Sequence, residues 1–263
     1  MRTSMVPAQQ VALPHAHRAT TLDDAAELLT RRHLALRTEV VRVSDAAFGR
    51  DTASLWQAKF TTGFLRSLAA FFLIEDGAGD LVGWSGYRTT TIEGERVLYF
   101  TSTGLLPRAQ GHGLIPALQR IVIADEARRH PDCPVTTVVR TRNPRSYVLA
   151  AKTFGDEITP RLDGTVPVER RPFVSGVATW LGLSTCDPAS AVVHNAYEVD
   201  GGLYGDDPRT GDPAIDALFE RLAPNDALLI CGRDTAAFVR RASVGEVLAV
   251  LVDRSAGESA QTN

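Results

Sequence analysis

A chain of 263 residues suits one large domain or two small ones and can bury a sizeable core. With 44% hydrophobic residues, 28 Lys+Arg, 31 Asp+Glu and a formal net charge of −3, wholesale disorder is excluded. A broad phosphate footprint on nucleic acid would need a basic surplus, so DNA is not an expected partner.

Cys133, Cys186 and Cys231 are dispersed, odd in number and form no C-x-x-C pair. Neither a zinc site nor a disulfide framework is expected, and no metal. The longest apolar run, Leu68 to Ile74, is too short to span a bilayer, and the first residues lack the apolar core of a signal peptide. A cytoplasmic setting without membrane contact is the expectation. Of the basic residues only Lys59 and Lys152 are lysines.

Residues 1–20, with Pro7, Pro14 and no periodicity, read as a mobile arm carrying an H-x-H pair, His15 and His17. Thr21 and two acids read as a helix start, with Leu22, Ala25, Ala26, Leu29 and Leu36 on one face. A second helix is predicted from Thr52 to Ser67 on the spacing of Leu55, Trp56, Phe60, Phe64 and Leu68. Phe71–Ile74, Leu81–Thr90 and Val97–Leu106 then read as strands joined by short polar turns, an antiparallel meander. From Leu114 the pattern is helical up to Arg128-Arg129-His130. Val135–Val139 is a strand, and Pro144–Phe154 a helix capped by Gly155.

Pro160, Gly164, Pro167 and Pro172 punctuate the chain after this helix. Phe173–Leu183 reads as a helix, Ala191–Val199 as a strand, Pro213–Leu222 as a short helix and Ala227–Cys231 as a buried strand. Val244–Val252 is a further apolar stretch and Ser255–Asn263 a polar tail. The expected division is a core over 21–155, an extension of unassigned role over 156–226, closing strands over 227–254 and a tail over 255–263.

The chemistry is written between Thr101 and Gln119. A strand ends near Leu106, a tight loop carries Gly111 and Gly113, and a helix begins at once with Pro116 in its first turn. Strand, glycine loop and helix N-terminus form an anion site, and phosphate or pyrophosphate is its natural ligand. A P-loop would need a Gly-Lys-Ser/Thr ending, and a dinucleotide fold a third glycine. Neither is present.

The arrangement resembles the GNAT superfamily of N-acyltransferases, whose Q/R-x-x-G-x-G/A loop holds the coenzyme A pyrophosphate. Arg108-x-x-Gly111-x-Gly113 matches the bare pattern; Gln110-Gly-His-Gly113-Leu-Ile115 matches the surroundings better and is preferred, with Ile115 where the family has a small residue. Downstream, the strand leading to Asn143-Pro144 and the helix ending Lys152-Thr-Phe-Gly155 look like the family's next strand and helix. The family tyrosine that protonates the departing thiolate would fall at Ala150; Tyr147 stands one turn earlier.

The resemblance implies an α/β (α+β) fold with a GNAT-like mixed central sheet, an antiparallel N-terminal meander, flanking helices and an enlarged C-terminal part. It implies acetyl-CoA or another acyl-CoA as donor substrate and a small-molecule amine as acceptor, attacking the thioester directly. Leu105, Leu106, Gln110, Gly111, His112, Gly113, Leu114, Ile115 and Asn143 are the implied donor-binding residues. Amides near Leu105 and Leu106 would polarise the carbonyl. Tyr147, Tyr99 and Ser102 are the catalytic candidates; Thr103, Glu75, Asp76 and His112 are weaker ones for proton transfer. Arg140, Arg142 and Arg145 form a basic group suited to a phosphate. His33, His130 and His194 read as structural. An acyl carrier protein or aminoacyl-tRNA as donor, and a non-catalytic GNAT-like binding module, are the alternatives. A monomer and a homodimer are equally compatible with the sequence.

Overall fold

The computed structural model describes residues 10–22, 25–29, 34–197, 204 and 208–234. The expected features at His33, Val244–Val252 and Ser255–Asn263 lie outside them, as does all of 235–254.

Ten strands among the described residues join one mixed sheet. Chain order begins with β1 (Gln10–Leu13) and β2 (His17–Leu22), followed by α1 (Leu34–Phe48) and α2 (Ala53–Thr61). The meander is β3 (Ala70–Glu75), β4 (Leu81–Ile92) and β5 (Glu95–Leu105). Then come α3 (Leu114–Arg129), β6 (Val135–Thr141) and α4 (Pro144–Phe154). The C-terminal part supplies β7 (Ile158–Thr159), α5 (Arg171–Leu181), β8 (Cys186–Asp187), β9 (Val192–Val193), α6 (Pro213–Glu220) and β10 (Ala227–Asp234). The sheet runs β1-β2-β3-β4-β5-β6-β10-β9-β8, with β7 also on β10.

Several expectations are corrected. Residues 10–20 are not an arm: β1 and β2 form a hairpin, and β2 extends the sheet by pairing with β3. Its turn places His15 and Ala16 at φ 56 and 57, the geometry of a two-residue hairpin loop. Thr21 lies in β2 opposite Phe72 instead of capping a helix; a 3-10 helix at Ala25–Leu29 follows, and α1 is described from Leu34 to Phe48. The helix expected over 52–67 stops at Thr61 and resumes as a short 3-10 turn at Leu65–Ser67, with Gly63 at φ 74 between them. The strand expected over Ala191–Val199 is only Val192–Val193.

The core forms three apolar clusters. The largest joins α1, α3 and the meander through Trp56, Phe72, Ile74, Trp84, Phe100 and Leu118. A second packs Phe173, Val174 and Val177 of α5 on Val97, Tyr99, Val138 and Leu229. A third holds α4 and α6 on β10 through Tyr147, Phe219 and Leu228. The described part of the extension 156–226 therefore packs on the sheet, and α5 is its main anchor. Glu95 adds a polar anchor: nearly buried, it takes hydrogen bonds from Thr136 Oγ1 (2.5 Å) and Arg170 Nη1 (2.6 Å).

Candidate active site

The sheet splits in its middle. β5 and β6 pair in parallel only from Arg96↔Val135 to Phe100↔Val139, while β6 stays paired with β10 on its other edge from Val135 to Thr141. Among the described residues, Thr101–Leu105 of β5 thus keeps β4 on one side and no strand on the other. The open edge spans roughly 17 Å at ~3.3 Å per residue. A register shift accompanies it: Trp84 faces Gly104 but Gly86 faces Thr101, so Ser102 and Thr103 together oppose Ser85. Ser102 sits at this bulge with φ 52, an unusual conformation for a residue with a side chain.

The glycine turn opens directly off this edge. Leu106 N–H donates to Val82 O at 2.8 Å, so this amide, expected to be free, is used within the sheet. Strand alternation sends the Leu105 amide and carbonyl to the opposite edge, toward the split. The Gln110 side-chain amide folds back to that carbonyl at 3.0 Å. Gln110, Gly111, His112 and Gly113 are exposed, and Gly111 and Gly113 take φ 80 and 71. A β-carbon added at either would meet nothing within 4 Å. The turn is exposed at the N-terminus of α3, whose first helical bond is Ala117 N to Gly113 O. Leu114 is buried, and Ile115 packs on the main cluster, so its branched side chain is turned to the core. Asn143 caps α4, accepting from Arg145 N at 3.0 Å.

The hairpin turn of β1–β2 also reaches the loop. The rings of His15 and His17 stand 5.1 and 6.2 Å from that of His112. Among the described residues no three His, Cys, Asp or Glu side chains are arranged to hold a metal ion.

The catalytic candidates separate. Tyr147 is buried in the cluster of α4, α6 and β10, and its hydroxyl donates to Pro160 O at 2.8 Å. Burial pushes its pKa up to about 12. Position 150 faces the same cluster. Tyr99 turns under α5, edge-on to Trp180 at 6.3 Å. Only Ser102 lies on the open edge. Its Oγ accepts from Trp84 Nε1 at 3.2 Å and from Lys59 Nζ at 2.7 Å. Thr103 Oγ1 bonds Ser85 Oγ at 2.9 Å. Glu75 pairs with Arg18 at 2.6 Å and Asp76 with Arg108 at 3.1 Å, both far along the sheet from Ser102.

The three arginines do not form one group. Arg142 is buried and holds the carbonyls of Leu222 and Ala223. Arg145 is exposed at the start of α4. Arg140 stacks its guanidinium 5.4 Å from the Tyr197 ring, whose hydroxyl donates to Arg140 O at 3.3 Å. Burial holds the Tyr197 phenol above its usual range. Tyr204 packs on Phe48 of α1 at 5.5 Å.

Lys59 is the residue that sequence reading passed over. It lies on α2 with Nζ 4.7 Å from the Trp56 ring and 5.2 Å from that of Phe64. Burial, and then the charge of Arg140, bring its pKa down to about 7. The signal was available: Lys59 falls three residues after Trp56, on the apolar face, in a chain with one other lysine.

The chain's structural neighbours are GNAT-family N-acetyltransferases. An Enterococcus faecalis protein described as a probable N-acyltransferase aligns at 14% identity over 52% of this chain and 33% of its own, with a TM-score of 0.38. A Corynebacterium glutamicum histone acetyltransferase HPA2 and related acetyltransferase aligns at 16% identity over 51% and 84%, TM-score 0.36. An Escherichia coli GNAT family N-acetyltransferase, YhbS, solved with CoA, aligns at 16% identity over 53% and 69%, TM-score 0.31. This chain spans about a third of the length of the first. No family model and no curated protein matches.

Proposed function

We propose that the protein is an N-acyltransferase that moves an acetyl or other acyl group from acyl-CoA to the amine of a small molecule by direct attack on the thioester. One observation carries the reading: an open glycine turn at a helix N-terminus leads straight onto an unpaired strand edge. The turn suits a diphosphate. The edge suits an extended amide chain, which can pair with main-chain groups as a strand would. Gln110–Ile115 would hold the diphosphate, and the Leu105 amide would polarise the acyl carbonyl. CoA would bring the activated thioester, and the chain would bring position and an oxyanion donor.

The packing of Ile115 into the core leaves the mouth of the turn clear, which favours free acyl-CoA over a carrier-protein or tRNA donor. The acceptor would enter from the side walled by α1, α2 and the segment bearing Tyr197 and Tyr204.

Thermal denaturation with CoA tests the donor. Ligand at about 100 times Kd adds about 2.7 kcal/mol. For a chain of this size that raises Tm by roughly 5–10 °C. Pantetheine, which lacks the diphosphate, should give a much smaller shift. No shift at millimolar CoA would remove the reading.

A further inference from the structure

We propose that Ser102 and Lys59 form the proton path of this transfer: Ser102 receives the proton of the attacking amine and passes its own to Lys59. The assignment rests on the acyl-CoA reading and names the base that sequence reasoning did not find.

Place comes first. β5–β6 pairing ends at Phe100, so Ser102 stands at the apex of the split, where a donor lying along the edge from the glycine turn ends its reach. Its backbone is held at φ 52 by the bulge, and strained conformations of this kind concentrate at working sites. Trp84 Nε1, fixed by the packing of Trp84 on Trp56 at 5.4 Å, donates to Oγ and orients it. The remaining partner is Lys59 Nζ at 2.7 Å, within proton-transfer distance.

The surroundings of Lys59 favour a neutral amine. Burial takes its ammonium out of water, and among the described residues it makes no ion pair. Arg140 on β6 is the cation that acts on it, and Arg37 of α1 lies 4.2 Å over Phe60 on the same helix as Lys59. Tyr197, with its phenol held neutral, faces Arg140 from the C-terminal segment. On β5, Ser102 is the hydroxyl at hand, since Tyr99 lies beneath α5. A pKa of about 7 leaves Lys59 half neutral at neutral pH. Composition points the same way: 28 Lys+Arg less two lysines leaves 26 arginines. In a chain that otherwise uses arginine, one of the two lysines stands at this place, where a cation that can release a proton is needed.

The step balances. The amine nitrogen bonds to the acyl carbon while its proton moves to Ser102 Oγ and the Oγ proton moves to Lys59 Nζ. The C–S bond breaks and its electron pair leaves with sulfur as thiolate. The thiolate takes a proton from solvent, and Lys59 returns one to solvent.

With lysine labelled at the ε-carbon, NMR shows two side-chain signals, and Lys152→Arg assigns them. Lys59 should titrate near 7. In steady-state assays with acetyl-CoA and the best amine of a panel, Lys59→Met and Lys59→Arg should lower kcat about 100-fold or more. They should also abolish the rise of rate with pH between roughly 6 and 8, with CoA affinity kept within about twofold. A Lys59 signal titrating above about 9 would overturn the proposal. Wild-type kcat and pH profile in both variants would overturn it, as would an acyl group trapped on Ser102 by mass spectrometry. Absence of CoA binding removes the donor reading; CoA binding with unchanged turnover in the Lys59 variants removes only the proton path.

Discussion

Gly104→Ala tests the geometry that orients Ser102. Gly104 faces Trp84 across β4 and β5, and its φ lies outside the left-handed region, so alanine meets no backbone penalty there. The obstacle is the indole: a β-carbon at 104 would stand 2.5, 2.7 and 3.0 Å from three of its ring carbons. Ordinary contact starts near 3.4 Å, so the ring must retreat by close to an ångström. It has no free room, because Trp84 is buried and edge-on to the buried Trp56 at 5.4 Å. Overpacking of this kind costs about 1–3 kcal/mol. Restriction of the unfolded chain by alanine returns about 0.4–1 kcal/mol. The net loss is about 1–2 kcal/mol, a fall in Tm of roughly 2–8 °C. Retreat of the ring also lengthens the 3.2 Å bond from Nε1 to Ser102, so kcat should fall more than stability predicts. Urea melts, tryptophan emission and kcat measure the three effects. A variant as stable as the wild type, with unchanged emission, would refute the packing argument.

Two further perturbations probe the frame around the site. Glu95→Ala removes the carboxylate shared by Arg170 and Thr136, and Arg233 lies 3.2 Å from it. Leaving Arg170 unpartnered should cost about 3 kcal/mol and loosen α5, read as a fall in Tm and earlier proteolysis within 156–190; an unchanged melt would show that α5 is held by its apolar face alone. Asp234→Asn probes pH. Asp234 is buried without a hydrogen-bond partner among the described residues, and burial raises its pKa to about 6 from 3.8. The folded state then holds its proton longer than the unfolded one, so wild-type stability falls as pH rises from about 4 to about 6 and is level above. The asparagine variant should match the wild type at pH 4 and exceed it at pH 7 by at most about 3 kcal/mol; equal stability at both would refute the burial argument.

Features were legible in the sequence where their cause is local. β3 to α4 came through because alternation, polar turns, Pro116 and Gly113 each act over a few residues. The N-terminal hairpin did not, because its turn uses His15 and Ala16 at positive φ without the usual Asn or Gly, while Pro14 suggested irregular chain. At Thr21 the local capping pattern was real, yet pairing with Phe72 on β3 prevailed. Arg140, Arg142 and Arg145 looked like one patch because sequence shows proximity along the chain. Strand alternation and the helix start send them to Tyr197, to the end of α6 and to solvent. The pairing of Lys59 with Ser102, 43 residues apart, needs the bulge that turns Ser102 toward α2, and no local pattern announces a bulge.

The hairpin also changes what the donor loop is. The chain before α1 supplies part of its wall: Ala16 lies against Gly77 in the β3–β4 turn, Asp76 of that turn ties Arg108, and His15 and His17 face His112. Gly111 and Gly113 leave the loop open and, by themselves, conformationally free; the flanking contacts limit that freedom before ligand arrives, and less remains to be lost on binding. Replacing both His15 and His17 by alanine should therefore weaken CoA binding by roughly 3- to 10-fold, equivalent to about 0.7–1.4 kcal/mol. Both are partly or fully exposed, so Tm without ligand should change little. Calorimetric titration with CoA separates the two effects. A double variant that binds CoA like the wild type would confine the donor site to the glycine turn and the edge of β5.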